Sequence, residues 1–282
     1  MLSKRIISGL LFLILFLLGL FNRHFDWALP IILIGAAFSG IHEFMHFGQS
    51  KPPRPFVALA QLGALALLAD AWRWQLEHAL LIIGLVIVIA LALGLVQETR
   101  NLAEIAGLSV IGMFYVAFPL ALIFLIWRMP LNSPDEYIRA NAPHYLIFLV
   151  AVTWASDIGA YTIGRAFGKH KLAPTISPGK TVEGFLGGIG MTLLIAAGMK
   201  LLWDNIDRIL SWPEVLILGL IFSFIGPIGD LAESRLKRNV GIKDSGRTFT
   251  GHGGMLDIID SLLFTTIFYY GFLLLFHPNV IL

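Results

Sequence analysis

Cysteine is missing from all 282 residues, so neither a disulfide framework nor a thiolate metal site is available. Charge is sparse too. Asp, Glu, Lys and Arg make up 13% of the chain, about half the share of a soluble domain. There is no internal repeat and no low-complexity tract, which argues against a repeat array. No small-residue cleavage site follows the first apolar segment, because Phe21, Asn22 and Arg23 come next. That segment, preceded by Lys4 and Arg5, is expected to remain as a span rather than to be removed as a signal peptide.

Apolar residues are abundant, at 57% of the chain. Windows of about 20 apolar residues recur along its whole length, as bilayer-spanning helices require. They predict an all-α polytopic membrane protein with about nine spans, near 6–21, 28–47, 56–72, 79–96, 104–127, 145–165, 183–203, 214–231 and 258–276. Trp27, Trp72, Trp74, Trp127, Trp203 and Trp212 fall near span ends and read as an aromatic belt. With the N-terminus inside, 14 of the 20 Lys and Arg residues lie at inside ends and loops. The remaining six are Arg23, Arg73, Arg128, Arg139, Lys200 and Arg208. That bias predicts a cytoplasmic N-terminus and places loops 165–182 and 232–257 in the cytoplasm.

The scarce charge is concentrated. Between Gly229 and Ser261 lie Asp230, Glu233, Asp244, Asp257 and Asp260, with Arg235, Lys237, Arg238, Lys243 and Arg247. The eighth span is expected to continue as a helix through Arg238 and to end at Gly241. Asp230, Ser234 and Lys237 would then share a face. Gly251-His252-Gly253-Gly254 is a turn whose bare backbone allows close approach of an anion. Asp257 and Asp260 open the last helix with a spacing that can direct both carboxylates to one site, and a helix N-terminus favours phosphate. Mg2+ or another divalent cation takes one or two carboxylates plus phosphate oxygens. Asp244, Asp257 and Asp260 are the expected metal ligands. Lys237, Arg238, Lys243 and Arg247 are the expected counter-charges for phosphate. Ordinary helix-end charge explains any one of these residues, but not the whole constellation.

The run GDLAES…KR…GIKDSG…GHGG…D…D resembles the C-terminal signature of the phosphatidate cytidylyltransferase (CDP-diacylglycerol synthase) family. Ser234, Lys237, Arg238, Lys243, Asp244, Gly251, His252, Gly253, Gly254, Asp257 and Asp260 fall on that pattern. Thr250 stands where the family has proline, and Ile258 where it has the arginine after the first aspartate. If that arginine contacts phosphate, another base is expected to substitute for it. An upstream block is similar to the same family: Ser156-Asp157 through Tyr161, then Gly164-Arg165, then Ser177-Pro178-Gly179-Lys180-Thr181-Val182-Glu183-Gly184. Asp157 lies inside an apolar span, where an ionisable group is expensive and usually functional, or else pairs with Arg165 or another helix to fix packing. The resemblance covers about 150 to 265. It suggests a division into an N-terminal transmembrane region, 1–149, and a catalytic region, 150–282.

The resemblance implies transfer of CMP from CTP to phosphatidate, with membrane lipids around the protein and no nucleic-acid partner. It implies an inner or plasma membrane location with the active site facing the cytoplasm, and leaves monomer or homodimer open. Lys243, Asp244, His252, Asp257 and Asp260 are the expected catalytic set. Asp157, Arg165, Lys180, Ser234, Lys237, Arg238, Arg247, Gly251, Gly253 and Gly254 are the expected substrate contacts.

Three other readings compete. A CTP-dependent lipid kinase needs the same ingredients. A transporter would use Asp157 and Asp230 as intramembrane ion sites. His42-Glu43-Phe44-Met45-His46 matches the HExxH pattern of zinc proteases. No convincing distant acidic ligand accompanies that match, and the plainer reading of Glu43 is a residue that orders the active-site side.

Overall fold

The computed structural model describes residues 16–21, 27–48, 52–96, 101–132, 136–246 and 253–278. Helices dominate: α1 (Ala28–Gly48), α2 (Arg54–Trp74), α3 (Ala79–Val96), α4 (Leu102–Asn132), α5 (Glu136–Phe167), α6 (Val182–Leu202), the short α7 (Asp204–Ile209), α8 (Trp212–Asn239) and α9 (Leu256–Phe276). Among the described residues eight helices are long and apolar enough to cross a bilayer. They correspond to the second through ninth expected spans. The first expected span lies mostly outside the described residues, although 16–21 are helical. The protein is thus an integral membrane protein of helical type.

Helix boundaries follow local chemistry. The Pro52-Pro53 pair ends the break before α2, with Pro53 as the N-cap residue and Pro55 within the first turn, where a missing N–H costs nothing. After α2 the chain turns sharply through Gln75 (φ 53°) and Leu76 (φ 67°), a conformation that L-residues disfavour. Buried Asp70 holds this turn closed, accepting from the His78 backbone N–H at 3.0 Å and facing His78 Nδ1 at 2.8 Å. At the far end of α8, Gly241 adopts φ +73° just past Asn239. This is the expected glycine stop.

The chain packs as two compact units. The first comprises residues up to Leu125 together with Asn239–Ile259, so it includes part of the signature segment. Here α1 packs on α2 and α2 on α3. Trp72 stacks on Phe124 of α4 with centroids 5.0 Å apart. Helix α3 is apolar all round, with only 17% of its span buried. Leu80, Val88 and Leu95 point outward, as expected of a lipid-facing helix.

The second unit comprises Ile126–Arg238 and the chain from Asp260. Its spine is the α5–α6 pair, packed backbone to backbone through small residues, which is how helices associate when lipid is as apolar as Leu. A side chain at Gly184 would meet the Ala160 carbonyl, the Thr181 hydroxyl and the Gly164 backbone. Thr153 of α5 and Thr265 of α9 share a buried hydroxyl contact at 3.0 Å. The expected loop 165–182 holds a small antiparallel hairpin, β1 (Lys171–Ala173) with β2 (Ser177–Thr181). Among the described residues this is the one departure from an all-helical reading. Thr181 ends the hairpin and caps α6, accepting from the Gly184 N–H at 3.1 Å.

Gly184→Leu is expected to overpack the α5–α6 seam and to lower stability by about 1–3 kcal/mol. Gly190→Leu, on the same helix facing open space, should change little. Thermal melting of both variants in detergent micelles checks the pair.

Candidate active site

Helix α8 runs without a break from its apolar stretch into its charged end, as its sequence predicts. In the second unit this brings Asp260 into electrostatic range of three of the unit's other acids. Asp157 of α5, Asp230 and Glu233 of α8, and Asp260 of α9 form the group. Lys180, at the end of β2, reaches Asp230 at 2.7 Å and the Pro227 carbonyl at 3.5 Å. Both partners of this ion pair are partly exposed. In the opposite direction, Arg238 Nε donates to the Ile176 carbonyl at 3.3 Å. The hairpin is therefore strapped to α8 at two points, and Lys180 is held beside the carboxylates.

The expected face of Asp230, Ser234 and Lys237 forms only in part. Ser234 Oγ donates to Asp230 at 3.2 Å. Lys237 instead pairs with Glu233 at 2.6 Å, and both side chains are buried, at 9% and 0% exposure. Glutamate four residues N-terminal to lysine is the favourable helical order. The pair neutralises two charges that neither apolar surroundings nor lipid would tolerate alone. Arg165 does not pair with Asp157; its guanidinium donates to the Tyr161 hydroxyl at 3.0 Å in an exposed position.

The first unit holds the rest of the signature. Lys243 and Asp244 are exposed and make no hydrogen bond or ion pair among the described residues. Asp257 Oδ2 accepts from the Gly254 N–H (2.7 Å), the Ser245 N–H (2.9 Å) and the Ser245 hydroxyl (3.0 Å). Gly254 thus spends its N–H on a carboxylate, not on an incoming anion. Gly253 adopts φ +91°, so this turn does need glycine. Glu43 of α1, 4% exposed, accepts from the Met255 N–H (2.8 Å), the Leu256 N–H (2.9 Å) and the Ser245 hydroxyl (2.9 Å). Arg247, Gly251 and His252, with Thr250, lie outside the described residues. Half-buried Ile258 occupies the first turn of α9.

Asp257 and Asp260, three residues apart on α9, thus belong to different networks. Asp257 folds back on the unsatisfied N–H groups at its helix start. Asp260, a turn later, is in range of Asp157, Asp230 and Glu233. Among the described residues no three His, Asp or Glu side chains stand at ligand distance from one another. The expected trio of Asp244, Asp257 and Asp260 is therefore not assembled as a closed site. Mg2+ does not need one, since it usually binds one or two carboxylates with waters and phosphate oxygens. The Asp157, Asp230 and Asp260 carboxylates are hard oxygen donors of the right kind, and in that sense the residues fit the ion.

A sequence profile described as the cytidylyltransferase family matches residues 3–276. The chain belongs to the cytidylyltransferase family. It is similar to a protein named phosphatidate cytidylyltransferase from Staphylococcus saprophyticus, 48% identical over 126 residues, which are 45% of this chain and 47% of that protein. The proteins of the same name from Staphylococcus haemolyticus (45% identical over 126 residues) and Staphylococcus aureus (44% over 128) match over the same shares. The chain spans about half the length of the curated relatives it matches.

For a cytidylyltransferase, the contribution of Glu43 and Ser245 was the least visible in the sequence. Glu43 sits in an HExxH frame that draws attention to zinc. In the structure His42 is exposed and His46 Nδ1 is 2.7 Å from the His42 carbonyl, while Glu43 points into the protein. A lone buried acid near one end of an apolar helix was the signal for a partner elsewhere.

Glu233→Ala leaves the buried Lys237 ammonium without that partner and is expected to cost about 3–5 kcal/mol, most of it recovered by adding Lys237→Met. Unfolding titrations with SDS in mixed micelles compare the single and double variants.

Proposed function

We propose that this cytidylyltransferase transfers CMP from CTP to phosphatidate, releasing CDP-diacylglycerol and pyrophosphate. The reading is supported above all by the second unit, where Asp157, Asp230 and Asp260 gather beside Lys180 within membrane-spanning helices. Acids for a cation and a base for phosphate stand together where a lipid headgroup and a water-soluble nucleotide can both arrive.

A phosphate oxygen of phosphatidate attacks the α-phosphorus of CTP. The new P–O bond forms as the bond to the β-phosphate breaks, and the electron pair leaves with pyrophosphate. The attacking monoester is largely ionised at neutral pH, so no strong general base is needed. The protein must bring two anions together and offset their repulsion, which is positioning plus electrostatics. One or two of Asp157, Asp230 and Asp260 would hold Mg2+ or another divalent cation, which would supply neutralisation of charge on phosphate oxygens. Lys180 is placed to share that task once phosphate competes with Asp230 for it. Arg238, fixed on the hairpin, keeps Lys180 in place. Exposed Lys243 and Asp244 have no bonds among the described residues to give up before meeting a ligand. Residence in an inner or plasma membrane with a cytoplasmic site is supported by the excess of Lys and Arg on the N-terminal side of the spans.

Purified protein with labelled CTP, phosphatidate and Mg2+ is expected to form lipid-linked CMP and pyrophosphate, and chelation of the metal should stop it. Absence of lipid-linked CMP would sink the reading. Asp260→Asn is expected to lower turnover by about 100-fold or more while the protein stays folded; a near-normal rate removes Asp260 from the site.

A further inference from the structure

Four backbone N–H groups surround the start of α9, and two carboxylates take all of them. Glu43 accepts those of Met255 and Leu256. Asp257 accepts those of Ser245 and Gly254. The Ser245 hydroxyl stands between them, 2.9 Å from Glu43 and 3.0 Å from Asp257. A hydroxyl carries one hydrogen, so the two carboxylates share it, and the position of each depends on the other. Glu43 comes from the middle of the chain's N-terminal helices, more than 200 residues away in sequence from the groups it binds.

The fit around Glu43 is close. A Cβ at Gly246 or at Gly254 would strike its carboxylate. The small residues on either side of the signature loop are therefore matched to Glu43, not only to a ligand. The buried charge is met by charge-assisted bonds and by the positive end of the α9 dipole. Apart from the Ser39 hydroxyl on its own helix, the groups it grips lie beside the expected chemistry: Ser245 follows Asp244, and Leu256 precedes Asp257.

We propose that Glu43 is a positioning residue for CMP transfer, an acid inside a membrane-spanning helix that holds the Asp244–Ser245 turn and the first turn of α9 in one geometry. The proposal rests on the cytidylyltransferase reading for its catalytic consequence, but not for the loop geometry itself. It gives the HExxH match a role other than zinc binding.

The test uses the full chain in detergent or lipid nanodiscs, with Glu43→Gln as the main variant. Glutamine keeps the size but turns an N–H donor toward backbone N–H groups. Hydrogen exchange in peptides covering 245 and 254–256 is expected to rise about fivefold or more, as for loss of a helix cap, with the α5–α6 pair unchanged. The kcat is expected to fall about tenfold to 100-fold, as small misplacements cause, while KM for phosphatidate stays within about twofold. Glu43→Gln and Ser245→Ala should be strongly non-additive in kcat. Unchanged exchange in those peptides overturns the proposal, and so does loosened exchange with a normal kcat. Zinc bound stoichiometrically and lost in His46→Ala would also overturn it. If Glu43→Gln does not fold, Ser245→Ala removes only the bridging hydroxyl and carries the same measurements. Wild-type protein that makes no lipid-linked CMP refutes the functional reading instead. Exchange then still decides whether Glu43 holds the loop.

Discussion

A charge placed among apolar helices has no water to turn to, and most of this structure can be understood from how each such charge is met. Glu233 is closed by Lys237 one turn along the same helix. Lys200, 5% exposed, is closed by Asp207 at 2.6 Å. Asp70 is closed by His78 across a strained turn. Glu43 is met by backbone N–H groups and by hydroxyls. The closures of Lys200, Asp70 and Glu43 also tie separate pieces of chain together, so the need to neutralise charge becomes a means of fixing geometry. In a protein with so few charged residues, these ties fix most of the turns described here.

Set apart from these closed pairs is the group around Asp157, Asp230 and Asp260. Among the described residues the ion pair made by these three acids is Lys180–Asp230, and it is partly exposed. In the proposed reaction these acids would hold the cation and Lys180 would meet phosphate. Stability alone would have chosen apolar residues at these positions. The close α5–α6 seam and the two-point attachment of the hairpin to α8 supply the rigid frame on which such a group has to stand.

The spans were legible because apolar windows of bilayer length have few alternatives. The run of α8 through Arg238 and its stop near Gly241 were legible for equally local reasons, a helical charge pattern and a residue free to adopt positive φ. The hairpin was not. Its strands are three and five residues long, and Pro174, Pro178 and Gly179 hide any alternation. The spacing of Asp257 and Asp260 suggested one shared site. In the structure Asp257 accepts from the Ser245 and Gly254 N–H groups, and Asp260 from that of Ser261. Lys237 was expected to face Asp230 and Ser234, but Glu233 lies one turn before it and pairs with it directly.

The Gly229–Ser261 signature, with the matched profile, is enough to assign the chain to its family, because chemistry with phosphate draws on few residue types in a recognisable order. The sequence by itself also settles that the chain is helical and membrane-embedded, through composition and periodicity that act locally. Which carboxylate serves as a cap, which as half of a buried pair and which stays available was decided only by the tertiary structure. Those roles depend on what stands within about 3 Å of each oxygen, and for Glu43 the answer comes from residues on the far side of the sequence.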